Sequence, residues 1–144
     1  MTATTALAEG QVLEPREFEV TRADLVRYAA ASGDGNPIHQ DEQVARSVGL
    51  PGVIAHGMYT MALVARAVEE WTGGAEVRRL GGKFTSPVVV PADEPARVRV
   101  QGTVKEVAVD DAGDTLVTLA LEVTCGGTKV LGMPRAVVRV STGA

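Results

Sequence analysis

Two histidines and one aspartate carry most of the chemistry that this sequence makes available. Asp34 and His39 stand five positions apart in Asp34-Gly35-Asn36-Pro37-Ile38-His39. Gly, Asn and Pro make that loop turn-rich, and the ring of Pro37 stiffens it. A carboxylate and an imidazole held near each other can take a proton from a substrate and return it, near neutral pH. The other histidine, His56, lies in Gly52-Val53-Ile54-Ala55-His56-Gly57, directly before the most apolar segment of the chain. If a helix begins there, the amide of Gly57 is left without an intrahelical partner, and the helix dipole points it at incoming negative charge. Polar groups on loops beside the start of a buried helix are the usual layout of a site. Taken singly, the turn and either histidine read as structural; only the combination points to chemistry.

The elements that must position these groups are legible in order. Residues 1–10 are small and polar and read as a flexible tail, with one domain over 11–144. Phe18 and Val20 alternate with charged neighbours in a short strand, Arg16 to Val20. Thr21 with Asp24 three positions later approximates a capping box, opening a helix whose apolar face is read as Ala23, Val26 and Ala30, with Leu25 and Ala29 beside them. Ser32-Gly33 ends it and delivers the chain into the Asp34 loop. Asp41 caps a second short helix over Glu42 to Val48, stopped by Gly49. From Gly57 to about Trp71 the chain is apolar nearly all round, which predicts a buried core helix.

Beyond Gly74 the period falls to two. Glu76 to Val90 reads as one or two strands. Ala96 to Val109 alternates through Val104 and resumes out of phase at Val107, which predicts a β-bulge. Asp110 to Asp114 is a polar turn. Val117, Leu119, Leu121 and Val123 share one face of the next strand, and Gly126-Gly127 makes a hairpin turn. Val130 to Val140 is the last strand, where Gly132 and Pro134 imply a bulge or an edge position. A long helix wrapped by such a curved antiparallel sheet satisfies both apolar patterns, giving an α+β chain of the hot-dog kind. One helix covers one face of the sheet, so association with a partner is expected.

Composition narrows the function classes. The formal charge is −4, from 14 basic and 18 acidic residues. With scattered Lys and Arg and only two Phe, two Tyr and one Trp, the chain has no nucleic-acid surface. Cys125 is the single cysteine, which fits a reducing, cytoplasmic location; it reads as packing. No basic and apolar leader opens the chain, and no apolar run approaches the length of about 18 residues that a membrane helix requires. Two histidines distant in sequence make no strong metal site. No Gly-rich phosphate-binding motif is present, so no nucleotide cofactor is expected.

The block Tyr28-Ala29-Ala30-Ala31-Ser32-Gly33-Asp34-Gly35-Asn36-Pro37-Ile38-His39-Gln40-Asp41-Glu42-Gln43-Val44-Ala45 resembles, position by position, the signature of the MaoC-like (R)-specific hydratase and dehydratase family. Gly52 to Met58 and Lys83-Phe84-Thr85-Ser86-Pro87-Val88 resemble that family's following blocks, so the likeness covers roughly residues 11–141. The wording of Ile54-Ala55-His56-Gly57-Met58 and the chain length are most similar to the catalytic β subunit of actinobacterial (3R)-hydroxyacyl-ACP dehydratases.

The resemblance implies reversible dehydration of (3R)-hydroxyacyl thioesters, on acyl carrier protein or CoA, to trans-2-enoyl thioesters, with Asp34 and His39 as the acid/base pair. It also implies Gly57 as the oxyanion donor and Asn36 as a supporting polar contact to substrate or loop. His56 is read as a structural residue of its turn, with a site role as the alternative, and Asp41 as a helix cap. Small residues Ala62, Ala65 and Ala67 either leave room for an acyl chain along the core helix or serve close packing.

The expected assembly is a hot-dog dimer, either a homodimer or a heterodimer with a non-catalytic subunit. The competing readings are a homodimeric (R)-specific enoyl-CoA hydratase, a hot-dog thioesterase and a non-catalytic partner subunit. Hydrolysis is disfavoured because the first acidic residues of the core helix, Glu69 and Glu70, lie at its far end. The non-catalytic reading is disfavoured because both Asp34 and His39 are present.

Overall fold

The computed structural model describes residues 7–140. Its elements run β1 (Arg16–Val20), α1 (Arg22–Ser32), a 3-10 turn (Pro37–His39), α2 (Glu42–Ser47), α3 (Gly57–Thr72), β2 (Glu76–Phe84), β3 (Ala96–Val109), β4 (Thr115–Cys125), β5 (Thr128–Lys129) and β6 (Leu131–Val140). All pairings are antiparallel, in the order β1-β3-β4-β6-β2, with β5 added to β4. Met61, Leu63, Val64, Ala67 and Val68 of α3 join alternate residues of β3, β4 and β6 in one core. That is the hot-dog arrangement, a helix held in a curved antiparallel sheet.

Local sequence accounts for the boundaries. The Thr21 hydroxyl accepts from the amide of Asp24, and the Asp24 carboxylate accepts from the amide of Thr21, completing the capping box. Gly33 closes α1 at φ 80°, in the left-handed region that costs glycine nothing. Asp41 caps α2 through the amides of Gln43 and Val44, and that helix stops at Ser47, one residue short of the expected Val48. The expected bulge lies between Val104 and Glu106, where the register against β4 slips. At Gly102 a side chain would meet the Trp71 ring 3.0 Å away, so glycine lets the helix end approach the sheet.

Several expectations need correction. In α1 only Leu25 and Ala29 are buried; Ala23, Val26 and Ala30 face outward, because the short helix touches the core along a narrow stripe. The core helix α3 is not buried all round: Met58, Ala62 and Arg66 form an exposed strip along it. The stretch Glu76 to Val90, read as one or two strands, is one strand, β2, followed by a single bridge between Val89 and Ile54, within that reading. Val130 falls between β5 and β6 rather than opening the last strand. Of the two positions read for Gly132 and Pro134, the structure has the bulge. β6 is interior, its register against β2 slips between Gly81 and Lys83, and Met133 there adopts φ 48°. A bulge leaves its extra residue out of the ladder, which accommodates a proline that has no N–H to donate.

Of the expected tail, residues 1–6 lie outside the described residues. Gly10 donates to the Val104 carbonyl at 2.8 Å, and the Glu9 carboxylate accepts from the Val107 amide at 3.1 Å. No helix among the described residues is long and apolar enough to cross a membrane.

Candidate active site

The Asp34 loop is built from its own side chains. Asp34 accepts the Asn36 amide at 3.2 Å, and Asn36 in turn accepts the Ile38 amide at 3.2 Å. Pro37 then sets the first residue of the 3-10 turn that carries His39 inward. Asn36 is exposed and caps the turn; it does not line the cavity. Asp34 is exposed as well, whereas His39 and His56 are buried.

Three groups distant in sequence meet here. A carboxylate oxygen of Asp34 and one ring nitrogen from each of His39 and His56 lie within 4.8 Å of one another. His39 Nδ1 sits 2.8 Å from the Ile54 carbonyl. A carbonyl only accepts, so Nδ1 carries the proton and Nε2 keeps its lone pair free for a substrate proton. His56 Nε2 sits 3.2 Å from the backbone carbonyl of Asp34, so this nitrogen donates and the His56 Nδ1 is left buried without a partner. The two imidazoles stack, centroids 3.8 Å apart and planes 24° from parallel. Ligand lone pairs lie in the ring planes, so near-parallel rings direct theirs side by side instead of at one ion. The donor set therefore suits proton transfer better than a closed metal centre.

Beside the pair, α3 begins. His56 is its N-cap residue, but the side chain makes no capping bond. Its carbonyl accepts the amides of Tyr59 and Thr60 at 3.0 and 3.2 Å, while the amides of Gly57 and Met58 have no helical carbonyl within reach. These donors open toward a cavity of about 740 Å³ lined by Asp34, His39, Gly57, Met58, Thr60, Tyr28 and the segment Phe84 to Val88, among others. Any side chain at Gly57 would come within 2.8 Å of the Phe84 ring, so the helix start and the end of β2 are in close contact. The cavity crosses the first turn of α3. Ala62, Ala65 and Ala67, weighed as the wall of an acyl tunnel, do not line it.

Residues outside the expected set also contribute. Tyr28 packs its ring edge-on against His56, at 4.8 Å between centroids, and against Tyr59 at 5.2 Å. Burial, and after it the nearby Asp24 carboxylate, push the Tyr59 phenol above its usual range. The carbonyl of Ile54 fixes the His39 tautomer, and Thr60, Thr85 and Ser86 bring hydroxyls to the cavity wall. Tyr28, Ile54 and the Phe84 to Val88 block left a trace in the sequence, as parts of longer motifs. Cys125 is away from the cavity and its thiol is pushed up by burial, the reverse of an activated nucleophile.

Glu42 ties this region together. Its carboxylate accepts from Arg22 Nη2 at 3.1 Å and from the Val53 amide at 3.2 Å, two residues before Ala55. Those bonds, with the Arg22 bond foremost, hold it below the ordinary glutamate range.

A model of the MaoC like domain matches residues 4–124, more than half of the chain. The 3-hydroxyacyl-thioester dehydratase X of Mycobacterium tuberculosis is 44% identical over 75 residues, which is 52% of this chain and 26% of that protein. The chain thus spans about a quarter of the length of that relative. A solved structure described as a MaoC-like dehydratase superposes with a TM-score of 0.85 at 36% identity, covering 94% of this chain and 41% of the other. R-hydratase PhaJ1 from Pseudomonas aeruginosa superposes with a TM-score of 0.79 at 26% identity, covering 94% of this chain and 83% of the other. The chain belongs to the MaoC-like dehydratase family.

Proposed function

We propose that this chain catalyses the reversible dehydration of (3R)-hydroxyacyl thioesters to trans-2-enoyl thioesters, with Asp34 and His39 as the acid/base pair. The observation that carries the reading is the meeting of a free imidazole nitrogen, a carboxylate and the unpartnered first-turn amides of α3 at one cavity. Removing water from the thioester requires taking a proton from C2 and protonating the departing C3 hydroxyl. The pair passes the C2 proton to the leaving oxygen, so water departs and the site returns to its starting state; hydration is the reverse. Charge that builds on the thioester oxygen is met by the Gly57 amide and the helix dipole. Neither step calls on a cofactor.

The carrier is acyl carrier protein or CoA. In the first case the chain is the catalytic β subunit of an actinobacterial (3R)-hydroxyacyl-ACP dehydratase; in the second it is a homodimeric enoyl-CoA hydratase. Both are hot-dog pairs. β2 supports pairing: it is an edge strand, exposed at eight of its nine residues, and Phe84 at its end is 59% exposed beside the cavity. Thioester hydrolysis is disfavoured because the cavity is lined by no carboxylate from α3, and Glu70 is engaged by Arg66 and Arg16.

Hydration of short and long trans-2-enoyl thioesters, on CoA and on carrier protein, tests the reading with this chain alone and with a neighbouring hot-dog chain. Asp34→Asn and His39→Ala should each abolish turnover in folded protein. Release of free thiol without hydration, or full activity in either variant, overturns it.

A further inference from the structure

The N-terminal end of α3 holds a side chain that the proposed mechanism does not use. His56 is 1% exposed. An N-cap side chain ordinarily accepts a first-turn amide, yet this one makes no capping bond. It turns instead across the site, donating from Nε2 to the Asp34 carbonyl at 3.2 Å and stacking on the His39 ring with 3.8 Å between centroids. Tyr28 packs edge-on against it at 4.8 Å between centroids. One imidazole thus touches the residues on both ends of the catalytic loop while its own backbone starts the helix that offers the Gly57 amide.

We propose that His56 is a positioning residue, which locks the Asp34–His39 loop to the start of α3 and so sets the distance between the acid/base pair and the oxyanion donor. The inference rests on the dehydration reading. The loop has little else to hold its exposed half. The bonds made by Asp34 and Asn36 side chains are all to the loop itself, so they shape the turn without anchoring it. The bond from His56 Nε2 is the tie that joins the Asp34 backbone to the helix. Leaving the first-turn amides uncapped has a matching consequence, because it keeps them free for a substrate oxygen. The buried Nδ1 without a partner fits the same role: the one ring nitrogen that is hydrogen-bonded is the one that faces Asp34. A general acid or base would need that nitrogen open to substrate, and His56 does not line the cavity.

Two variants separate the donor from the stack. His56→Phe keeps a ring against His39 and removes the N–H; His56→Gln keeps a donor of similar reach and removes the ring. A misplacement of reacting groups by about 1 Å costs about 100-fold in rate. His56→Phe is therefore expected to lower kcat for enoyl-thioester hydration about 100-fold with KM within about threefold. His56→Gln should lose no more than about tenfold.

Amide hydrogen exchange of Asp34, Gly35 and Asn36 gives a readout that needs no turnover. It should quicken in the Phe variant and stay close to wild type in the Gln variant. Wild-type kcat in His56→Phe, or a folded His56→Gln as inactive as a catalytic-residue variant, overturns the proposal. If the Phe variant does not fold, the Gln variant decides alone. If the wild type hydrates no enoyl thioester, the dehydration reading fails, while unchanged loop exchange in the Phe variant would refute the bracing separately.

Discussion

Gly57→Ala separates the chemistry of the helix start from its stability. Glycine here has no need of a positive φ, since it lies in the first turn of α3 and is absent from the positive-φ residues. Alanine gains up to about 1 kcal/mol of helix propensity over glycine. Against this, the new carbon would sit 2.8 Å from Phe84 Cζ and 2.9 Å from Cε1, inside the normal contact of about 3.5–4.0 Å. Phe84 is 59% exposed, so its ring can swing into solvent. The cost is then a handful of contacts at about 0.1–0.2 kcal/mol each. The two effects nearly cancel, and the melting temperature should move by no more than about 3 °C. Catalysis should respond very differently. On the proposed mechanism a methyl group beside the Gly57 amide hinders the approach of a thioester oxygen, and losing one such donor costs about 100- to 1,000-fold.

The assay is the loss of the conjugated enoyl absorbance on hydration, beside a thermal melt of the same sample. Since all three nearest atoms at Gly57 belong to Phe84, the double variant with Phe84→Ala tells obstruction from ring displacement. Obstruction leaves the double variant slow; a wild-type rate there assigns the loss to the ring. A Gly57→Ala enzyme within threefold of the wild-type rate would refute the role given to the Gly57 amide.

Two further predictions concern the scaffold. Leu119 is fully buried in the middle of β4, so Leu119→Ala should cost about 2–5 kcal/mol, read as a lower urea midpoint at unchanged slope. The Glu42 carboxylate is held below its ordinary value of 4.5 by Arg22 and the Val53 amide. Its contribution is therefore complete above that value and lost as the pH falls through the lower folded value. Glu42→Gln should lower stability at neutral pH and flatten the acid side of the profile; an unchanged acid limb would show that Glu42 is not a source of it.

The sequence by itself determined the local structure and the types of the reacting groups. Thr21 with Asp24, Asp41 and Gly33 mark helix ends because caps depend on residues within a turn of one another. The phase slip between Val104 and Val107 announced its bulge for the same reason, since strand periodicity is local. The spacing of Asp34, Asn36 and His39 is likewise a property of one loop, which folds around its own side chains.

What only the tertiary structure decided are relations between segments. Nothing near His39 in sequence says that the Ile54 carbonyl will fix its tautomer. Nor does anything near Asp34 say that His56, 22 positions away, will donate to its carbonyl. The outward turn of Val26 and the exposed strip of α3 had the same cause, because a helix's apolar residues do not reveal which of them the sheet will cover. Gly132 and Pro134 left bulge and edge open until the strand order placed β6 inside the sheet. The proposed acid/base pair is written in one loop, but the cavity it faces exists only where that loop is brought against the first turn of α3.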